Sequence, residues 1–192
     1  GLVEVAHVSH FRLAAHLSLA FIIMGIVMAL RHHISDTGRL RVPAKFKRVL
    51  LGVSVLLGVQ IIYGAFTAGL KAGYAYNTWP KMGQEWIPDA IFQSTLGVMN
   101  VLHNPFMVQF IHRVLGLVLL VSVFFMSMLA MKQGVRELIK PAHRFMALVL
   151  IQFILGVSTL VLHVPITLAV AHQMMALLLV MMIVHLNYRF SS

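Results

Sequence analysis

Cysteine is absent from the 192 residues. That excludes disulfides, thiolate metal sites and cysteine nucleophiles, and it leaves the redox compartment unread. Acidic residues are nearly as scarce, five Asp and Glu against fifteen Lys and Arg, for a formal net charge of +10. Charged residues make up only 10% of the chain, where a soluble domain carries about 25%. So few charges cannot cover a water-facing surface. In a soluble protein the positive excess would point to nucleic acid. Here the basic residues stand in short segments between apolar runs, so no nucleic-acid partner is expected. What the chain has in abundance is apolar surface, 60% of its residues, and the natural solvent for that is a bilayer.

Five apolar stretches reach the ~20 residues that a helix needs to cross a bilayer core. They are 11–30, 49–70, 107–131, 145–164 and 166–186. The expected fold is all-α: a polytopic transmembrane helical bundle, with residues 1–192 as one transmembrane domain. The first stretch lacks a basic leader and a small-residue cleavage site, so it reads as a span rather than a signal peptide. Pro165 separates the last two stretches.

Lys and Arg set the orientation. Segment 31–48 holds Arg31, Arg39, Arg41, Lys45, Lys47 and Arg48, and segment 132–144 holds Lys132, Arg136, Lys140 and Arg144, with Arg189 past the last span. The opposite side has only Arg12, Lys71 and Lys81. The positive-inside rule places the richer side in the cytoplasm or mitochondrial matrix. The first, third and fifth spans then run inward. The long segment 71–106 lies outside, with Trp79, Trp86, Tyr74 and Tyr76 suited to an interfacial layer.

There are eleven histidines. His32, His33 and His143 fall in inner loops, His7, His10, His103 and His163 at or beyond outer helix ends, and His185 near the inner end of the last span. Three lie deeper, all on inward-running spans: His16, His112 and His172. At 1.5 Å per residue they sit about 7–9 Å below the outer ends. Ionisable groups inside spans are costly and mark function by default. Neutral imidazole is a good iron ligand, and two histidines on adjacent helices can clamp a porphyrin within a bundle. One turn after each stands a small residue, Ala20, Gly116 or Ala176. Arg12 and Arg113 are placed to pair with haem propionates; the alternative is that Arg12 snorkels to the interface and Arg113 bonds a loop carbonyl.

The chain also repeats itself weakly. Leu13-Ala14-Ala15-His16 parallels Ala169-Val170-Ala171-His172, and Gln60 and Gly64 parallel Gln152 and Gly156. If histidines pair two by two, His112 pairs with His172, and His16 lacks a partner two helices upstream. With Gly1 rather than Met at the start, the expectation is a piece of a longer protein.

Several segments together carry a family resemblance. They are Phe11-Arg12-Leu13-Ala14-Ala15-His16-Leu17, the run from Gly64 to Gly73, Tyr76-Asn77-Thr78-Trp79-Pro80-Lys81-Met82-Gly83 continuing to Trp86-Ile87-Pro88, Val108-Gln109-Phe110-Ile111-His112-Arg113, and Ala169-Val170-Ala171-His172-Gln173. In this order they resemble the heme A synthase family of proteobacteria and mitochondria. The resemblance implies eight spans in two pseudo-repeated four-helix halves, of which five are present here. It implies that His112 and His172 ligate the iron of a heme b cofactor, with Arg113 in the same cofactor-binding site. His16 is implied to be catalytic, holding the substrate heme O with a histidine from a preceding helix. The implied reaction oxidises the C8 methyl of heme O to a formyl group, giving heme A for cytochrome c oxidase maturation. Ile111 stands where related sequences often have a polar residue.

The implied setting is the bacterial inner membrane or the mitochondrial inner membrane. Heme O synthase, cytochrome c oxidase assembly factors, an unidentified electron donor and a second copy of the chain are the partners this reading suggests. Two other classes fit paired membrane histidines: a b-type cytochrome exchanging electrons with quinone, and a transporter using histidines as proton relays.

Overall fold

The computed structural model describes residues 10–34 and 38–191, and within these five long helices dominate. They are α1 (His10–Ile34), α2 (Ala44–Gly69), α4 (Pro105–Lys132), α5 (Arg136–Val161) and α6 (Ile166–Arg189), with a short α3 (Asn100–His103) before α4. Each long helix is long and apolar enough to span a membrane, and the chain is a multi-pass membrane protein. His7 lies outside the described residues.

The helix bounds follow local chemistry. Asn104 caps α4, its side chain accepting the Phe106 N–H at 2.9 Å, and Pro105 takes the first helical position, where a missing N–H costs nothing. Gly134, at φ +67°, ends the α4 run, as only glycine does freely. Between α5 and α6 the chain turns through His163 and Val164, both left-handed at φ +61° and +58°. Valine resists that conformation. Gly73 accommodates the turn, because a Cβ there would lie 3.0 Å from Val164 Cγ2.

Apolar counting placed the inner ends too short. Residues 31–34 continue α1, and α5 begins at Arg136 rather than 145. Backbone hydrogen bonding carries a helix past the apolar run when its basic side chains reach out to water. His32 and His33 are therefore on α1 and His143 on α5, not in loops. His32 is buried, and its Nε2 lies 3.1 Å from Nδ1 of His185.

α2, α4, α5 and α6 form a four-helix bundle in which neighbours pack in that order and α6 returns to α2; α1 packs outside on α2 and α6. Helices α4 and α6 thus stand diagonally. The inner end is tied by a two-residue parallel pair, Leu40–Arg41 with Phe190–Ser191. Lys47 donates to the carbonyls of Asn187 and Phe190, both at 2.8 Å, a cation at the C-terminal end of α6 where helix carbonyls lack partners.

Packing is uneven along the bundle axis. The inner half holds a continuous core of Leu50, Val53, Leu57, Val123, Met126, Phe145, Val149, Leu179 and Ile183. In the outer half no described residue is fully buried over 58–64, 110–118, 150–161 or 166–178. A smaller cluster of Ala14, Ala65, Phe66 and Val108 joins α1, α2 and α4 at the outer end. Helices in lipid associate through such van der Waals contact rather than through expulsion of water. This less buried zone lies between two packed layers.

Candidate functional site

That zone contains His112 and His172. His112 stands about two turns into α4 and His172 under two turns into α6, on diagonal helices within electrostatic reach of each other. Each ring rests on a glycine of the helix beside it. A Cβ at Gly64 of α2 would lie 3.2 Å from Cε1 of His112, and a Cβ at Gly156 of α5 would lie 2.8 Å from Cε1 of His172. Only glycine lets an imidazole approach a helix backbone so closely.

On both rings Nδ1 is buried without a partner. Buried polar nitrogens are rarely left so. The side-chain amide of Gln152 lies 3.4 Å from Nε2 of His172. Among the described residues no group of three or more His, Asp or Glu could hold a bare metal ion. Two imidazoles, however, match an iron whose other four ligands come from a porphyrin. The orphaned nitrogens and the glycine seats fit such a group, and His112 and His172 are the residues that would hold it.

Arg113 follows His112 on α4 and reaches the 76–83 loop. Its Nη2 donates to the Tyr76 carbonyl at 2.7 Å, and its Nη1 to those of Thr78 at 2.9 Å and Lys81 at 3.2 Å. Gln109, fully buried one turn earlier, donates to the same Tyr76 carbonyl at 3.0 Å. Asn77 fastens the loop to α5 by donating to the Leu160 carbonyl at 2.8 Å. Trp79 packs edge-on against Phe153, next to Gln152, at 5.6 Å between centroids. The guanidinium also lies 5.8 Å from the Trp79 ring. The loop is thus clamped over the outer end of the α4–α5 interface. Arg113 Nε is buried without a partner, so its two Nη groups serve the loop and Nε remains uncommitted.

The clamp gives a direct expectation. Arg113→Met removes three charge-assisted hydrogen bonds, each worth about 1.5–3 kcal/mol where well formed. Tryptic cleavage after exposed Lys81 should rise several-fold. Arg113→Lys should restore only part of the protection, since one ammonium cannot fork to three carbonyls. Unchanged cleavage in Arg113→Met would show that Asn77 and Gln109 suffice.

His16 is apart from this pair. It lies on the outer half of α1 and is exposed, as is Arg12. His103 meets Phe11 edge-on at 5.2 Å. The roles of Gln109 and Asn77 in holding the loop were not evident in the sequence, because both are donors to carbonyls far along the chain. The two Gln-x-x-x-Gly segments were visible as a repeat, but the spacing did not say that each faces a histidine.

The comparisons agree with this architecture. The chain is 39% identical over 183 residues to the heme A synthase of Rhizorhabdus wittichii, covering 93% of the chain and 51% of that protein. It is 37% identical over 190 residues to heme A synthase COX15 of Arabidopsis thaliana, covering 94% and 41%. With heme A synthase COX15 of Bos taurus it shares 36% over 179 residues, covering 88% and 42%. The chain spans about half the length of the curated relatives it matches. Residues 1–184 match the family COX15-CtaA, described as cytochrome oxidase assembly protein. With nearly the whole chain matched and the paired histidines seated in the bundle, the chain belongs to the COX15-CtaA family.

Proposed function

We propose that this chain supplies the cofactor-holding part of a heme A synthase, an oxidoreductase that converts the C8 methyl of heme O to a formyl group for cytochrome c oxidase maturation. The observation that carries the reading is the pair His112 and His172, on diagonal helices, each seated on a glycine with an unpartnered nitrogen. The names of the relatives support the same reading.

In this proposal His112 and His172 would hold a b-type haem. Held by two imidazoles, that group would supply one-electron transfer rather than oxygen activation. Gln109 and Arg113 hold the 76–83 loop over the outer end of the site, with Trp79 against α5. Arg113 keeps Nε uncommitted, and a haem propionate is the anion that we propose it meets there. His16, exposed on α1, positions heme O together with a histidine elsewhere in the whole protein. The membrane is the bacterial inner membrane or the mitochondrial inner membrane, and the pathway requires an electron donor.

The test is pyridine haemochrome analysis of the whole protein purified after co-expression with a heme O synthase. Haem B together with heme O or heme A is the expected result. Haem B alone would shift the reading to an electron-transferring b-type cytochrome. No haem at all would return the two histidines to a structural or proton-relay role.

A further inference from the structure

We infer that Gln152 is a positioning residue for the His172 imidazole, gripping the ring from the helix that also carries its glycine seat. The inference rests on the haem reading above and goes beyond the ligands to what fixes the plane and the basicity of one of them.

The glycine seats are repeated, and on one helix a side-chain amide joins the seat. On α5, the Gln152 amide lies 3.4 Å from Nε2 of His172, and one turn later Gly156 faces Cε1 of the same ring at 2.8 Å. On α2, Gly64 faces Cε1 of His112 at 3.2 Å, whereas Gln60 meets that ring through its backbone and carries its amide beside Gly116, where a Cβ would lie 3.2 Å from its Nε2. Glutamine and glycine four residues apart share a helix face. The α5 face therefore meets His172 at two points, which fixes both its distance and its rotation.

The polar atoms left over indicate the hydrogen-bonding state. Oε1 of Gln60 and Oε1 of Gln152 are both buried without partners. Amide oxygen and nitrogen are interchangeable by a half-turn of the side chain. With Gln152 turned over, the imidazole N–H donates to Oε1, and the other ring nitrogen keeps its lone pair free. Such a donated N–H fixes the tautomer and raises the basicity of the ligating nitrogen. Stronger donation favours the ferric state, so Gln152 holds the midpoint potential of the haem down.

The experiment uses the whole protein, purified with its bound haem. It measures haem per protein, midpoint potential and the ferric electron paramagnetic resonance g-values. Gln152→Leu keeps side-chain volume and removes the amide. It should raise the midpoint potential, shift the g-values and weaken haem retention on the order of 10-fold. Gln152→Glu keeps the shape with a stronger acceptor and should move the potential the opposite way. Ile151→Leu, on the exposed apolar face beside Gln152, should change nothing.

Unshifted potential and g-values in Gln152→Leu would overturn the inference. If that variant does not accumulate, an unshifted Gln152→Glu would overturn it equally. His112→Ala and His172→Ala separate the two levels. Normal haem b in both would remove the haem reading and this inference with it. Haem loss in the histidine variants with unshifted glutamine variants would remove this inference alone.

Discussion

His112→Ala and His172→Ala should each abolish bound haem b and the oxidation of heme O in the whole protein. The two rings approach from diagonal helices, so neither can replace the other. Alanine at either position deletes one of the two proposed bonds to the iron, and it removes the ring that rests on the glycine seat. Loss of a second-shell partner alone costs about 10–100-fold in metal affinity, and loss of a ligand should exceed that. His16→Ala is the informative contrast. Its side chain is exposed on α1 and separate from the pair, so that variant should keep haem b while losing heme O turnover. Haem content by pyridine haemochrome and product analysis by chromatography read the two outcomes separately. Normal haem b in both His112→Ala and His172→Ala would contradict the assignment, and loss of haem b in His16→Ala would show that the two sites are not independent.

The sequence made the number of spans legible because bilayer thickness imposes a length that composition alone reveals. It misjudged the inner ends of α1 and α5, where the helix runs on through basic residues that apolar counting assigns to loops. It placed His112 and His172 at similar depth because rise per residue is fixed. It could not show that α4 and α6 stand diagonally while α1 lies outside the bundle, since that arrangement comes from side-chain packing between distant segments. His16 therefore shares a depth with the other two but not their surroundings.

Arg113 shows the same limit differently. A cation beside a histidine invites a propionate, with a loop carbonyl as the alternative, and both its Nη groups bind carbonyls of a loop more than thirty residues earlier. Those acceptors are backbone atoms with no signature of residue type, so no sequence pattern reveals which carbonyls they are. Conversely, the contrast between a tightly packed inner half and a less buried outer half is an outcome of tertiary packing. It leaves the paired imidazoles outside the main core, which holds the four helices together at the inner end.

Gly156→Ala is the second large expected effect. Alanine is a better helix former than glycine by about 1 kcal/mol, so helix α5 should not suffer. The new Cβ would instead lie 2.8 Å from Cε1 of His172, closer than real contacts allow. The ring cannot retreat freely, because Gln152 meets it from the same helix at 3.4 Å. Overpacking of this kind costs about 1–3 kcal/mol, here concentrated on the orientation of one proposed ligand. Gly64→Ala should do the same to His112 more mildly, since its clearance is 3.2 Å. Gly58→Ala, with nothing within 4 Å, should keep its haem and tolerate heat at least as well as the parent. Haem per protein should therefore fall most in Gly156→Ala, less in Gly64→Ala and not at all in Gly58→Ala, with helical circular dichroism unchanged throughout. Equal haem retention in all three would mean that the glycines are incidental to the histidines they face.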